Sequence, residues 1–416
     1  MSPHDANPNS RDGVRFEYDP GVVRFRTGAA ADLADELQKH GLERALVVCG
    51  STVGSTSAVI DPVTEGLGDR LAGVFDETTP EKRLDTAYDG LDAARKHDAD
   101  ALVALGGGSS LDVAKMISVL SADDRDPEAV GAELADTGSI SVPEGSLLPV
   151  VAVPTTLAGA DLSAVAGVTA SPGSDLVDES AVPAGTDAVG GGVSDPRLMP
   201  TATVYDPELF ATTPERILAA SAMNGFDKGI ETLYARNATP VTDATAARGL
   251  GLLADGLRKF GAEEEATAET LEPVVEGIWL VQYGISRPDG TTLSMIHAFG
   301  HGLTRTYDVQ QGAAHAVVAP HVLRYLFERV DARRDLLAEA LGEPGAADPA
   351  EAVIDAVAEV RDALGLPSRL RDVDGPDPEA FPQVAEAIVG DSFVANAPQG
   401  LDVRAEEIEA VLRDAY

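Results

Sequence analysis

The stretch Ala101–Lys115, ALVALGGGSSLDVAK, constrains the fold more than any other part of the chain. An unbroken apolar run suits a strand buried on both faces, and three glycines then lead into a helix. A buried strand that turns directly into a helix is half of a parallel strand–helix–strand unit. Similar short apolar strands are expected in Val14–Phe25 and at Arg44–Cys49, Ala72–Phe75, Leu148–Val153 and Ala202–Tyr205. Helical spacing occupies Ala29–His40, Val63–Leu71 and Thr79–His97, so strands and helices alternate. This pattern predicts an α/β domain with a doubly wound parallel sheet. From Pro214 onward the pattern is helical almost throughout, which predicts an all-α second domain.

The remaining segments read as connections. Gly50–Thr56 suits a turn, and Asp123–Glu144 an acidic, irregular surface excursion. Ser171–Ser194, which contains Gly190-Gly191-Gly192, suits a loop or irregular hairpin. The expected organisation is a disordered lead-in at 1–13, an α/β domain at 14–199 and a helical domain at 200–416, divided near Pro200.

The glycine turn can also carry chemistry. Glycines permit positive φ and let a ligand approach the backbone, and the free N–H groups of the following helix attract phosphate. Many such turns are only tight turns, and neither GxGxxG nor GxxxxGK[ST] occurs here.

Charge narrows the partners. Carboxylates number 69 against 31 lysines and arginines, a net charge of −38, and only six residues are lysine. Such a surface argues against binding nucleic acid or anionic membranes and suits a cytoplasm very rich in salt, where screening limits self-repulsion. Cys49 is the single cysteine, so neither an intrachain disulfide nor a cysteine metal cluster can form. No apolar run approaches 18 residues and the polar start has no signal-peptide character, so the cytoplasm is the expected compartment.

Four of the seven histidines, His297, His301, His315 and His321, fall within Ser294–His321. His297 and His301 are four apart and share a helix face, which suits two metal ligands, or a ligand beside a proton donor. A lone histidine is usually an ordinary core or surface residue; four in one stretch point to a site.

Together these motifs resemble the iron-containing alcohol dehydrogenase family, whose fold is also that of dehydroquinate synthase-like proteins. GGGSSLDVAK is similar to the family's GGGSxxDxxK, and the segment from Pro154-Thr155-Thr156 to Ser163 to its PTTxxGSExT. Asp195–Leu209 resembles its strand into the second domain, Ser221–Ala235 its first ligand-bearing helix, and Ser294–His321 the segment with the rest. The resemblance implies hydride transfer in an interdomain cleft by a homodimer using NAD or NADP. It implies cofactor contacts from Gly107, Gly108, Ser109, Asp112, Thr155, Thr156 and Leu162. No acidic residue follows strand Arg44–Cys49, so repulsion against a 2′-phosphate is absent and NADPH stays open. Ala158–Pro200 lacks the lysine that family members commonly carry in the hairpin after PTT.

The family's metal-dependent members hold one ion with an Asp, a His four residues on and two later histidines. The matching positions here are Asn224, Lys228, His297 and Gln311. Asn and Gln are weak neutral ligands and an ammonium repels a cation, so no metal is expected. A shifted set would take Asp227 and Glu231 with His297 or His301; solvated or ion-paired carboxylates are the plainer reading of those two acids. The departures resemble the maleylacetate reductase branch, which reduces an unsaturated keto acid without needing a metal. The expected catalytic set is Lys228, His297, His301 and Asn224, acting on a small anionic substrate. The alternatives are a metal-dependent alcohol or aldehyde dehydrogenase with rearranged ligands, and a catalytically silent nucleotide-binding relative.

Overall fold

A computed structural model of the chain describes residues 14–183, 186–263, 265–307 and 309–416. The lead-in expected at 1–13 lies outside the described residues. The strands are β1 (Val22–Phe25), β2 (Ala45–Gly50), β3 (Leu71–Thr78), β4 (Ala101–Gly106), β5 (Val150–Pro154), β6 (Val165–Ala170), β7 (Val189–Ser194) and β8 (Ala202–Tyr205). Six of them form one sheet in the order β1-β8-β5-β4-β2-β3, with every pairing parallel.

Both faces of the sheet are covered, which is why its central strands are apolar at consecutive positions. Along β2, Leu46 and Val48 pack into one core with the helices Leu84–Lys96 and Gly108–Leu120. Ala45, Val47 and Cys49 point the other way, into a core with the helices Leu33–Lys39 and Ser57–Leu67. From β2 the chain moves outward to β3, then crosses to β4 on the other side of β2. The sheet therefore reverses direction between β2 and β4, and the glycine turn leaves β4 at this switch point, where open α/β sheets bind ligands.

Several connections differ from their sequence reading. Gly50–Thr56 contains a short helix, Ser51–Ser55, and the excursion Asp123–Glu144 contains the helix Pro127–Thr137. Its acidic, alanine-rich composition conceals Val130 and Leu134, four apart and both buried. The helix expected at Thr79–His97 begins only at Leu84, because Thr79–Arg83 forms a turn with Lys82 at φ 55. Gly190-Gly191-Gly192 lies in β7, which pairs antiparallel with β6. The sheet also runs past the division expected at Pro200, since β8 sits between β1 and β5.

Beyond β8 the chain is helical apart from a two-residue antiparallel pairing of Ser286–Arg287 with Gly290–Thr291. The helix Glu215–Tyr234 is buried on nearly every side from Leu218 onward, enclosed by Pro240–Ala262, Ala268–Gln282, Met295–Thr304 and Gln311–Arg329. This enclosure fixes the face that carries Asn224 and Lys228. Among the described residues, no helix is long and apolar enough to cross a membrane.

Candidate active site

Gly106 ends β4 at φ 131, a conformation that side-chain-bearing residues rarely adopt. Gly107 then caps the helix Gly108–Leu120, whose first N–H groups lack partners within the helix. Gly107, Gly108 and Ser109 are part-exposed there, and Thr156 stands across from Gly107, close to where a Cβ on that glycine would lie. Asp112, one turn further along the helix, pairs with Lys82 at 2.6 Å. Thr155 and Leu162 are buried: the Thr155 N–H donates to the Gly106 carbonyl at 3.0 Å, and the Leu162 carbonyl accepts from the Tyr18 hydroxyl at 3.2 Å. Beyond β2, the Asp76 side chain from β3 packs on Gly54, an acid supplied by the neighbouring strand.

Lys228 lies opposite, on the helix Glu215–Tyr234. Its ammonium donates to the carbonyls of Ala158 at 2.8 Å and Gly159 at 3.0 Å, joining the helical domain to the loop after β5. Burial pushes its pKa down to about 8, against the opposing pull of Asp161 and Glu231. Asp161 is itself buried and accepts from the Tyr205 hydroxyl.

The structure gathers three of the four clustered histidines. His297 is buried, with Nδ1 2.6 Å from Glu231 Oε2, while its backbone N–H donates to Glu231 Oε1 at 2.9 Å. Burial, with His315 and the Lys228 ammonium alongside, holds its imidazole well below the usual range. Burial raises Glu231 to about 7, against the His297 N–H that favours its charged form. His315 packs edge-on against His297, ring centres 4.5 Å apart, and faces Asp227 at 3.4 Å. Burial lowers His315 to about 4 and, with the charge of Glu231, raises Asp227 well above its usual value, so burial favours the uncharged form of each. His321 lies apart, with Arg324, Arg361 and Asp414 as its charged neighbours.

His301 faces outward on the same helix as His297. Its Nδ1 donates to Asp391 Oδ2 at 2.9 Å, its ring lies 4.9 Å from that of Phe393, and a quarter of its side chain is exposed. Burial raises the Asp391 carboxyl, but hydrogen bonds from His301 and the Phe393 N–H, with Arg305 alongside, bring it below its usual value. Asp391 thus stays ionised and holds His301 in the tautomer with Nδ1 protonated. Sequence reasoning missed Asp391 and Phe393, for nothing in their local spacing marks them.

Of the expectation for Asp227 and Glu231, solvation is corrected while pairing is what the structure has. Both are fully buried, and each faces a histidine. They do not form a shifted metal set: among the described residues, no group of three His, Cys, Asp or Glu side chains could hold an ion. Asn224 Oδ1 and His297 Nε2 are buried without a hydrogen-bond partner, so the cluster retains polar atoms for something to meet.

The histidine packing depends on Gly300. A Cβ there would lie 2.3 Å from His315 Nε2, in a fully buried cluster with no room to yield. Gly300→Ala is expected to destabilise the fold by about 1–3 kcal/mol, the usual cost of overpacking. Denaturant unfolding measures this, and an unchanged midpoint would show that His315 can move.

The comparisons agree with this geometry. Residues 20–207 match the family described as iron-containing alcohol dehydrogenase, and residues 218–416 match the C-terminal part of the Fe-containing alcohol dehydrogenase family. The chain is 29% identical to the NAD-dependent methanol dehydrogenase of Bacillus methanolicus, over 85% of this chain and 88% of that one. It is 26% identical to maleylacetate reductase 1 of Cupriavidus pinatubonensis, over 95% of each. In fold it is similar to the crystal structure of a Rhizobium maleylacetate reductase, with a TM-score of 0.77 at 23% identity over 98% of this chain and 99% of the other. A parallel sheet with a glycine turn at its switch point, joined to a helical domain carrying the histidine wall, is thus matched over nearly the whole length, and this chain belongs to the iron-containing alcohol dehydrogenase family of oxidoreductases.

Proposed function

We propose that the chain is an NAD(P)H-dependent reductase of a small anionic unsaturated or keto acid, of the maleylacetate reductase kind, and that it works without a metal ion. The observation that carries this reading is Lys228: an ammonium stands where the family's metal-dependent members place a ligand. With Asn224 and Gln311 at two further ligand positions, His297 is the one strong donor left, and the set does not fit a divalent cation.

A bound reduced nicotinamide supplies the hydride. On the protein side, Lys228 pairs with the substrate's carboxylate or carbonyl oxygen and stabilises the negative charge that grows there as hydride reaches the electron-poor carbon. Asn224 and His297 meet the substrate's polar atoms in the same pocket. His301 then supplies the proton, to the neighbouring carbon of an enoate or to the carbonyl oxygen of a keto acid: its partial exposure allows that proton to be replaced from water, whereas His297 is buried and held neutral. For an enoate, one hydride and one proton turn C=C into CH–CH and leave the oxidised dinucleotide.

Oxidation of NADH and NADPH in high salt, against maleylacetate, simple keto acids and aldehydes, tests the substrate class. Turnover of aldehydes alone would sink it. Protein purified without added ions is expected to contain substoichiometric Fe and Zn and to keep full activity in EDTA. Activity lost to chelation and restored by Fe²⁺ or Zn²⁺ would favour instead the metal-dependent alcohol dehydrogenase reading, to which the methanol dehydrogenase relative lends support.

A further inference from the structure

In a chain with 69 carboxylates and only six lysines, three of the lysines, Lys82, Lys115 and Lys228, converge on Asp112 and Asp161 at the cleft. Two of these ammonium groups each donate two of their three hydrogens to backbone carbonyls. Lys115 is buried and donates to the carbonyls of Ser163 at 2.6 Å and Val165 at 3.1 Å, tying the helix after the glycine turn to the β6–β7 hairpin. Lys228 donates to Ala158 and Gly159. The third, Lys82, holds only a carboxylate: its Nζ lies 2.6 Å from Asp112 Oδ2, with about a third of its side chain exposed.

The placement of Lys82 is enforced. Its φ of 55 is unusual for a side-chain-bearing residue and is held by hydrogen bonds to β6. The Thr169 N–H donates to the Lys82 carbonyl at 3.1 Å, and the Thr169 hydroxyl donates to the Glu81 carbonyl at 2.5 Å. On the hairpin side the pair lies against Gly167, whose Cβ position is 3.5 Å from both Lys82 Nζ and Asp112 Oδ2, an ordinary contact distance. Asp112 is four residues on from Gly108 and shares its helix face, which puts Lys82 Nζ one turn from the N–H groups of the glycine turn. The Lys82 end of the pair is part-exposed while Asp112 is buried with Lys115 close by, so the ammonium can turn to another anion without leaving that carboxylate unaccompanied. A dinucleotide brings such an anion into a cleft of strongly acidic protein.

We infer that Lys82 is the cation that holds the diphosphate–ribose part of the dinucleotide at the glycine turn, and that it gives up its pairing with Asp112 to do so. The inference rests on the dinucleotide-dependent reading above. It supplies from the turn after β3 a lysine that the hairpin itself lacks.

Fluorescence titration of NADH and NADPH without substrate tests it. Lys82→Met is expected to raise Kd about tenfold, the value of one charge-assisted hydrogen bond, and equally for both cofactors. Lys82→Arg should recover most of the affinity, and Lys96→Met, an exposed lysine on the helix Leu84–Lys96, should leave Kd unchanged. Unaltered binding by Lys82→Met would overturn the inference. So would a loss confined to NADPH, which would put the ammonium on the 2′-phosphate, or a loss accompanied by a fallen Tm that arginine does not restore. Should the unaltered protein bind neither dinucleotide, the functional reading fails; should it bind both and the variant equally well, only the role of Lys82 does.

Discussion

Replacing Lys228 with methionine is expected to lower kcat on an anionic substrate about 10²-fold, the usual cost of losing one preorganised electrostatic stabiliser. Methionine keeps most of the apolar stem and removes the charge. The Gly159 carbonyl keeps a second donor in the Gln282 amide, whereas the Ala158 carbonyl depends chiefly on Lys228. A stability loss of about 1–3 kcal/mol should therefore accompany the variant, small enough to leave a folded protein whose dinucleotide binding reports an intact first domain. The unaltered enzyme should show the same dependence in its pH profile. Burial has brought the Lys228 ammonium down to about 8, and the charged form is the protonated one, present below that value. Activity should fall as pH rises through about 8, and the methionine variant should lack this limb. A variant with unchanged kcat would remove Lys228 from the mechanism.

His301→Asn should slow the reaction by about 10²- to 10⁴-fold, the range for loss of a general acid, while leaving dinucleotide affinity intact. Asp391→Asn is the finer test, because Asp391 acts only through His301. An amide at that position can still meet the His301 Nδ1–H through its oxygen but carries no charge to support an imidazolium. Turnover should drop by about tenfold or more, with the loss in kcat rather than in the KM for dinucleotide. Equal activity of Asp391→Asn and the unaltered protein would separate His301 from proton delivery. A fall in Tm alone, with kcat preserved, would reduce Asp391 to a support of the segment Ser392–Asn396 that it caps.

What the sequence made legible is what local pattern can encode. Ala101–Lys115 shows its strand, turn and helix because a buried parallel strand needs consecutive apolar residues and the turn needs glycine at Gly106, and both requirements act within a few residues. The face carrying Asn224 and Lys228 follows from their spacing of four, and the histidine wall from the crowding of His297, His301 and His315. The helix Pro127–Thr137 stayed hidden because acidic and small residues dilute its two buried positions.

The partners of those groups were a different matter. Asp227 and Glu231 look like two more solvated acids of an acidic chain, and only the helices enclosing Glu215–Tyr234 bury them against His315 and His297. Asp391 lies ninety positions from His301, and Lys82 reaches Asp112 from a turn that helical spacing alone would have continued as helix. The sequence by itself determined the fold class, the glycine turn and which residue types stand at the family's ligand positions, since each depends on short-range periodicity or on residue identity. Only the tertiary structure decided which histidine is buried and which is part-exposed, and which lysine stands against Asp112 beside the glycine turn. Burial and the pairing of distant charges arise when helices and sheet close on one another, and no local spacing records them.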